Sequence, residues 1–129
     1  MLNNLKFRVL KGLYSVCRLN NDAEISDWIN KSEFYLITQT DCELSIVCFQ
    51  ENIPSAVKFE KDWKIITIDG KLDFSLIGII SKISSLLAEN GISIFVISTF
   101  DTDYFMVKQE NFDKTIELLK AIGNFMMAG

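Results

Sequence analysis

The side chains in this sequence best suited to chemistry are carboxylates set among small hydroxyls. Asp73 precedes Ser75, Leu76, Ile77 and Gly78, where a periodic apolar segment begins. Asp101 and Asp103 stand two residues apart, flanked by Thr99, Phe100 and Thr102. Carboxylates attract an ammonium group, and hydroxyls can add hydrogen bonds to it or its neighbours. The first backbone N–H groups of a helix attract the opposite charge, with a dipole contribution of about 0.3–1 kcal/mol. Gly78 lacks a Cβ and would let a ligand or a neighbouring backbone come close. Together these groups suit a zwitterion with a carboxylate at one end and an ammonium at the other. Plainer structural roles compete with that reading: Asp73 and Ser75 as helix caps, Asp101 and Asp103 as an Asx turn, Gly78 as a packing glycine.

Other chemistries are excluded or weakly supported. The chain has no histidine, so Ser-His-Asp and Cys-His catalysis, His-ligated zinc and a histidine pH switch are absent. Its three cysteines, Cys17, Cys42 and Cys48, show no C-x-x-C spacing and are expected to be reduced, packed thiols. Two carboxylates two residues apart can bind a hard cation or serve as acid and base. No loop glycine or distal glutamate completes a calcium loop, so neither a metal nor a cofactor is expected. With 13 basic and 17 acidic residues the net charge is −4, against the basic footprint of a nucleic-acid binder. No apolar run approaches the roughly 18 residues of a membrane span. The first residues lack the apolar core of a signal peptide, so a cytoplasmic location is expected.

The elements that must position these residues are clearest in the second half. Leu76 to Asn90 places apolar residues at 76, 79, 80, 83 and 87, the stripe of a one-faced helix. Ser75 is the expected N-cap and Gly91 the C′ glycine. Ile92 to Phe100 is β-branched and aromatic, and Tyr104 to Lys108 follows it, which predicts a hairpin. Asn111 is expected to cap a helix over Phe112–Ile122, ended by Gly123. With Lys64–Ile68 before and Phe125–Met127 after, the order is β-α-β-β-α-β, that of a ferredoxin-like unit. The first half reads more loosely: a long strand over Phe7–Leu19 bent at Gly12, a short helix or turn at Glu24–Ile29, strands at Glu33–Thr40 and Glu43–Phe49, and one turn at most near Pro54. The same unit with shortened helices fits, and each half carries a net charge of −2.

Three strings together carry a family resemblance: Asp73-Phe74-Ser75-Leu76-Ile77-Gly78, Ala88-Glu89-Asn90-Gly91-Ile92-Ser93-Ile94-Phe95 and Ser98-Thr99-Phe100-Asp101-Thr102-Asp103-Tyr104. The chain resembles ACT-domain proteins, and more narrowly the small tandem-ACT proteins of bacteria related to the ACT domains of aspartate kinases and of animal cytosolic arginine sensors. The first half fits through Cys17-Arg18-Leu19, Trp28, Glu43-Leu44-Ser45-Ile46-Val47-Cys48 and Pro54, with Ser26 where a proline is expected.

The resemblance implies an α+β fold: two ferredoxin-like (βαββαβ) ACT units in tandem, antiparallel sheets with helices on one face, divided as 1–62 and 63–129. It implies a regulatory protein and not an enzyme, without catalytic residues. The effector, an amino acid or similar small molecule, would sit at an interface between ACT units. Its holders would be Asp73, Ser75, Leu76, Ile77 and Gly78 with Thr99, Phe100, Asp101 and Asp103. A homodimer and a further protein partner are expected, and neither nucleic acid nor membrane. The alternatives are an assembly module with no small ligand, and a small metal-binding protein or enzyme using the Asp cluster.

Overall fold

The computed structural model of this chain describes residues 5–68 and 78–127. It resolves into two compact units, Gly12–Trp63 and a second made of Met1–Lys11 with Lys64–Gly129. The sequence division at residue 62 puts residues 5–9 with the first half, whereas these pair with strands of the second unit. The expected long strand Phe7–Leu19 is two strands, β1 (Leu5–Val9) and β2 (Tyr14–Leu19), one in each unit.

In the N-terminal unit, β2 pairs antiparallel with β4 (Leu44–Phe49), and β4 with β3 (Leu36–Gln39). On its other side β2 pairs with the first half of β5 (Lys58–Ile68), a strand that continues into the C-terminal unit. The positions where a ferredoxin-like unit has helices hold turns after β2 and a 3₁₀ turn, Gln50–Asn52, after β4. Cys17, Ile29, Leu44, Ile46 and Cys48 form its core, with Trp28 packed against them. The Cys17 thiol is pushed well up by its hydrogen bond with Cys48 and by burial, as inert packed thiols should be. Cys42 departs from that expectation: it is exposed in the β3–β4 turn.

An irregularity in β5 has a visible cause. Tyr14 opposes Trp63 while Val16 opposes Glu60, so β5 carries an extra residue there, a β-bulge. Asp62 adopts φ 69° to make it. The Gln50 side chain holds the bulge: its Oε1 accepts from the Asp62 N–H at 2.6 Å, and its Nε2 donates to Asp62 Oδ1 at 2.9 Å.

The C-terminal unit is the more regular. Its sheet order is β6-β7-β5-β1-β8, with β6 at Phe95–Ser98, β7 at Asp103–Lys108 and β8 at Gly123–Met127. β1 runs antiparallel to β5 and parallel to β8, a departure from the all-antiparallel sheet expected. Two helices, α1 (Ile79–Glu89) and α2 (Phe112–Leu119), bring Ile79, Ile83, Leu87 and Leu119 into one core with Leu5, Phe7, Val9, Ile66, Ile68, Phe105 and Val107. The alternation of these strand positions puts both helices on one sheet face. α1 ends in a Schellman motif: Gly91 at φ 73°, Ile92 N–H to Leu87 O at 2.9 Å and Gly91 N–H to Ala88 O at 3.0 Å.

Gly123 is not the helix cap expected of it. It opens β8 without a positive φ, and a Cβ there would lie 2.7 Å from the Phe7 ring and 2.8 Å from Leu5 O. It is glycine because β1 and Phe7 fill the space. Asn111 likewise makes no side-chain cap; a 3₁₀ turn, Gln109–Asn111, leads into α2. The strand expected over Ile92–Phe100 is shorter, Phe95–Ser98. Among the described residues no helix is long and apolar enough to cross a membrane.

Tyr14 is 1% exposed, and burial followed by the charge of Glu33 pushes its phenol up to about 12. Between the ordinary value of 10.0 and about 12, the unfolded chain has lost this proton and the folded chain keeps it. Stability therefore falls as pH rises through that window. Phenolate absorbance should show one of the three tyrosines ionising late in the folded protein, and Tyr14→Phe should remove both that step and the alkaline loss of stability.

Candidate functional site

Two features of the C-terminal unit hold the described residues among those expected at the site: the entrance to α1 and the β6–β7 hairpin. Gly78 is the residue before α1 and sits at φ 86°, ψ 4°, a left-handed conformation that glycine adopts without strain. Among the described residues, a Cβ at Gly78 would meet nothing within 4 Å. The Gly78 carbonyl accepts the first helical bond, from Lys82 N–H at 2.9 Å. Gly78, the N-cap, has no side chain to cap this helix start, and the first turn holds no acidic residue. The amides of Ile79, Ile80 and Ser81 precede that first bond and have no intrahelical acceptor. Asp73, Ser75, Leu76 and Ile77, and with them the expected Ser75 cap, lie outside the described residues.

The hairpin is closed by threonine. The Thr99 N–H donates to Thr102 O at 2.8 Å, and the Thr99 hydroxyl donates to the same oxygen at 3.1 Å. That hydroxyl oxygen in turn accepts the Thr102 N–H, also at 3.1 Å. Thr99 therefore builds the turn, in place of the Asx turn considered from sequence. Phe100 at the tip is fully exposed, and Asp101 beside it is exposed.

Asp103 is more constrained than Asp101. It is half-buried at the start of β7, opposite Ser98 in register. The Ser98 hydroxyl donates to Asp103 Oδ1 at 2.6 Å, and the backbone carbonyl of Asp103 accepts from the Thr67 hydroxyl at 3.1 Å. Thr67 is 1% exposed, one residue from the end of β5. This bond fixes the hairpin base beside the strand whose chain leads, through residues 69–77, to Gly78. Asp103 keeps acceptor capacity beyond the Ser98 bond, enough for an ammonium.

Sequence reasoning missed Ser98 and Thr67 as positioning residues. Ser98 shows itself once the hairpin register is known. Thr67 is visible as the lone hydroxyl in an apolar strand, K-I-I-T-I. Among the described residues no group of three or more His, Cys, Asp or Glu stands close enough to hold a metal.

An ACT-domain family model matches residues 58–121, and a model of a separate N-terminal domain matches residues 12–56. A crystal structure of a protein from Agrobacterium tumefaciens is 36% identical, over 98% of this chain and 95% of that one, with a TM-score of 0.91. The aspartate kinase of Clostridium acetobutylicum, described as an allosteric enzyme, matches at 11% identity over 92% of this chain and 34% of its own, with a TM-score of 0.65. The ligand-free regulatory subunit of aspartate kinase from Thermus thermophilus matches at 8% identity over 90% of this chain and 96% of its own, with a TM-score of 0.60. At those two identities the likeness is one of fold.

Since no described residue opposes a side chain at Gly78, replacing it tests the backbone. Gly78→Ala should cost about 1–2 kcal/mol through φ strain, and Gly78→Asn less, because asparagine tolerates the left-handed region. Equilibrium urea unfolding measures both.

Proposed function

Since this chain belongs to the ACT-domain family, we propose that it is a non-catalytic regulatory protein that binds a small effector, an amino acid. The observation that supports the reading is the half-buried Asp103, its backbone carbonyl tied to Thr67 near the end of β5 and its carboxylate to Ser98. The effector's carboxylate would take the first amides of α1, where dipole and donors favour an anion. Its ammonium would be held by Asp103, with Asp101 adding charge. Asp73, Ser75, Leu76 and Ile77 belong to the same proposed site as the residues leading into Gly78, and Thr99 and Phe100 as its hairpin wall.

Output would pass to another protein, because a ligand shifts an equilibrium only by its differential affinity for two states. A second copy is the expected partner. β6 pairs with β7 alone among the described strands, and Val96 on it is 42% exposed. Those exposed residues, with Phe100, also favour the second reading, an assembly module without a small ligand.

Differential scanning fluorimetry against the twenty amino acids separates the two. The sensor reading expects a higher melting temperature with one or a few of them; at a hundredfold excess over Kd the gain is about 2.7 kcal/mol. Asp103→Asn keeps an acceptor for Ser98 but removes the charge, so it should fold and lose the response. A flat wild-type response to all twenty overturns the sensor reading and leaves assembly.

A further inference from the structure

The N-terminal unit holds a cleft of about 460 Å³ where β2 and β5 part, a volume in the range of small-molecule sites. The last pair of that ladder is Arg18 opposite Lys58. Next to it each chain makes a tight turn: the Ala23 N–H donates to Asn20 O at 3.0 Å, and the Val57 N–H to Pro54 O at 3.1 Å. Residues of these two turns wall the cleft, and Leu19, Ala23 and Val57, packed on the core, give it an apolar floor. Ala56 lines it as well, and its small side chain leaves the space open.

The walls are braced. Asn21 Nδ2 donates to Asp41 O at 2.8 Å, and Gln39 Nε2 to Asn21 O at 2.7 Å, which ties the first turn to the β3–β4 hairpin. Pro54 has a fixed φ and stiffens the second.

One side chain supplies the charge. Side chains alternate along a strand, so those of Arg18 and Lys58 leave the sheet on the face opposite Leu19 and Val57. The arginine is also held away, its Nη2 donating to Cys42 O at 3.1 Å in the β3–β4 turn. Both residues border the cleft by their main chain. Asp22 is the carboxylate that remains in the lining. Its neighbour in the turn, Asn21, is spent on the hairpin, whereas Asp22 makes no side-chain hydrogen bond or ion pair among the described residues. An apolar floor with one carboxylate at its rim suits an aliphatic body that carries one ammonium group. No cationic group stands over the floor to meet a carboxylate, so the cleft does not suit an amino acid.

We propose that this cleft binds a small aliphatic amine, with its hydrocarbon on Leu19, Ala23 and Val57 and its ammonium donating to Asp22. This is a second site, on other residues and of other chemistry than the one proposed on the C-terminal unit. Isobutylamine is the probe, and isobutanol, the same body without the charge, is its control. Each is titrated into the ¹⁵N-labelled full chain in phosphate buffer near neutral pH. Saturating shifts are expected at the amides of Asn20 to Ala23 and of Ala56 to Lys58, with isobutylamine bound about tenfold tighter than isobutanol. Asp22→Asn should bring the two probes to equal affinity, Ala56→Leu should fill the cleft and abolish binding of both, and Asp103→Asn should change neither. No saturating shift with isobutylamine, saturating shifts confined to other residues, or a preference for the amine that survives Asp22→Asn overturns the proposal, as does isobutanol binding as tightly as isobutylamine to the wild type. Asp22 and Ala56 are exposed, so both variants should fold. Neither probe carries a carboxylate for the α1 entrance, and Asp103→Asn leaves this cleft intact, so failure here and failure of the amino-acid site are distinguishable.

Discussion

Phe7 is the side chain on which the C-terminal unit closes. It has no exposed surface, stacks on Phe125 with ring centroids 5.0 Å apart, and meets Phe105 edge-on at 6.4 Å. It arrives on β1, a strand distant in sequence from the rest of its unit, inserted between β5 and β8. That insertion dictates a glycine at 123, because the Phe7 ring and the Leu5 carbonyl leave no room for a Cβ. Removing so large a buried ring typically costs about 3–5 kcal/mol, a substantial share of the stability of a small domain. Through β5 the same sheet sets the Thr67–Asp103 bond, so the proposed site rests on strands that β1 locks in place.

The two units solve the same problem differently. The C-terminal unit covers its sheet with two amphipathic helices and a single aromatic-centred core. The N-terminal unit has turns where helices would be, and its core is smaller and includes two buried thiols. Its polar side chains do structural work instead: Gln50 satisfies a bulge, and Asn21, Gln39 and Thr40 brace one end. That bracing is what turns an exposed arginine into an oriented one.

Local periodicity made the second half legible. The stripe at 79, 83 and 87, the β-branched run before Asp101 and the glycine at 91 each answer to a short-range rule, and each lies in the predicted element. What escaped depends on distant partners. No local signal says that residues 5–9 belong between two strands of the other half, or that Gly123 yields to Phe7 and does not cap a helix. The shortening of β6 to Phe95–Ser98 is likewise decided by where β7 can pair. At the site, Asp101, Asp103 and Gly78 were readable as residue types at turns. That Thr99 would build the turn, and that Ser98 and Thr67 would hold Asp103, follows only from the hairpin register.

The central claim is that an amino acid engages the α1 entrance and the hairpin together. The direct measurement is an amide ¹H–¹⁵N spectrum of the labelled chain, titrated with the amino acid that most raises its melting temperature. The account expects the largest shifts at the amides of Ile79, Ile80 and Ser81 and at Thr99 to Asp103, saturating with one affinity. Saturating shifts confined to other residues, or no shifts with any amino acid, would contradict it.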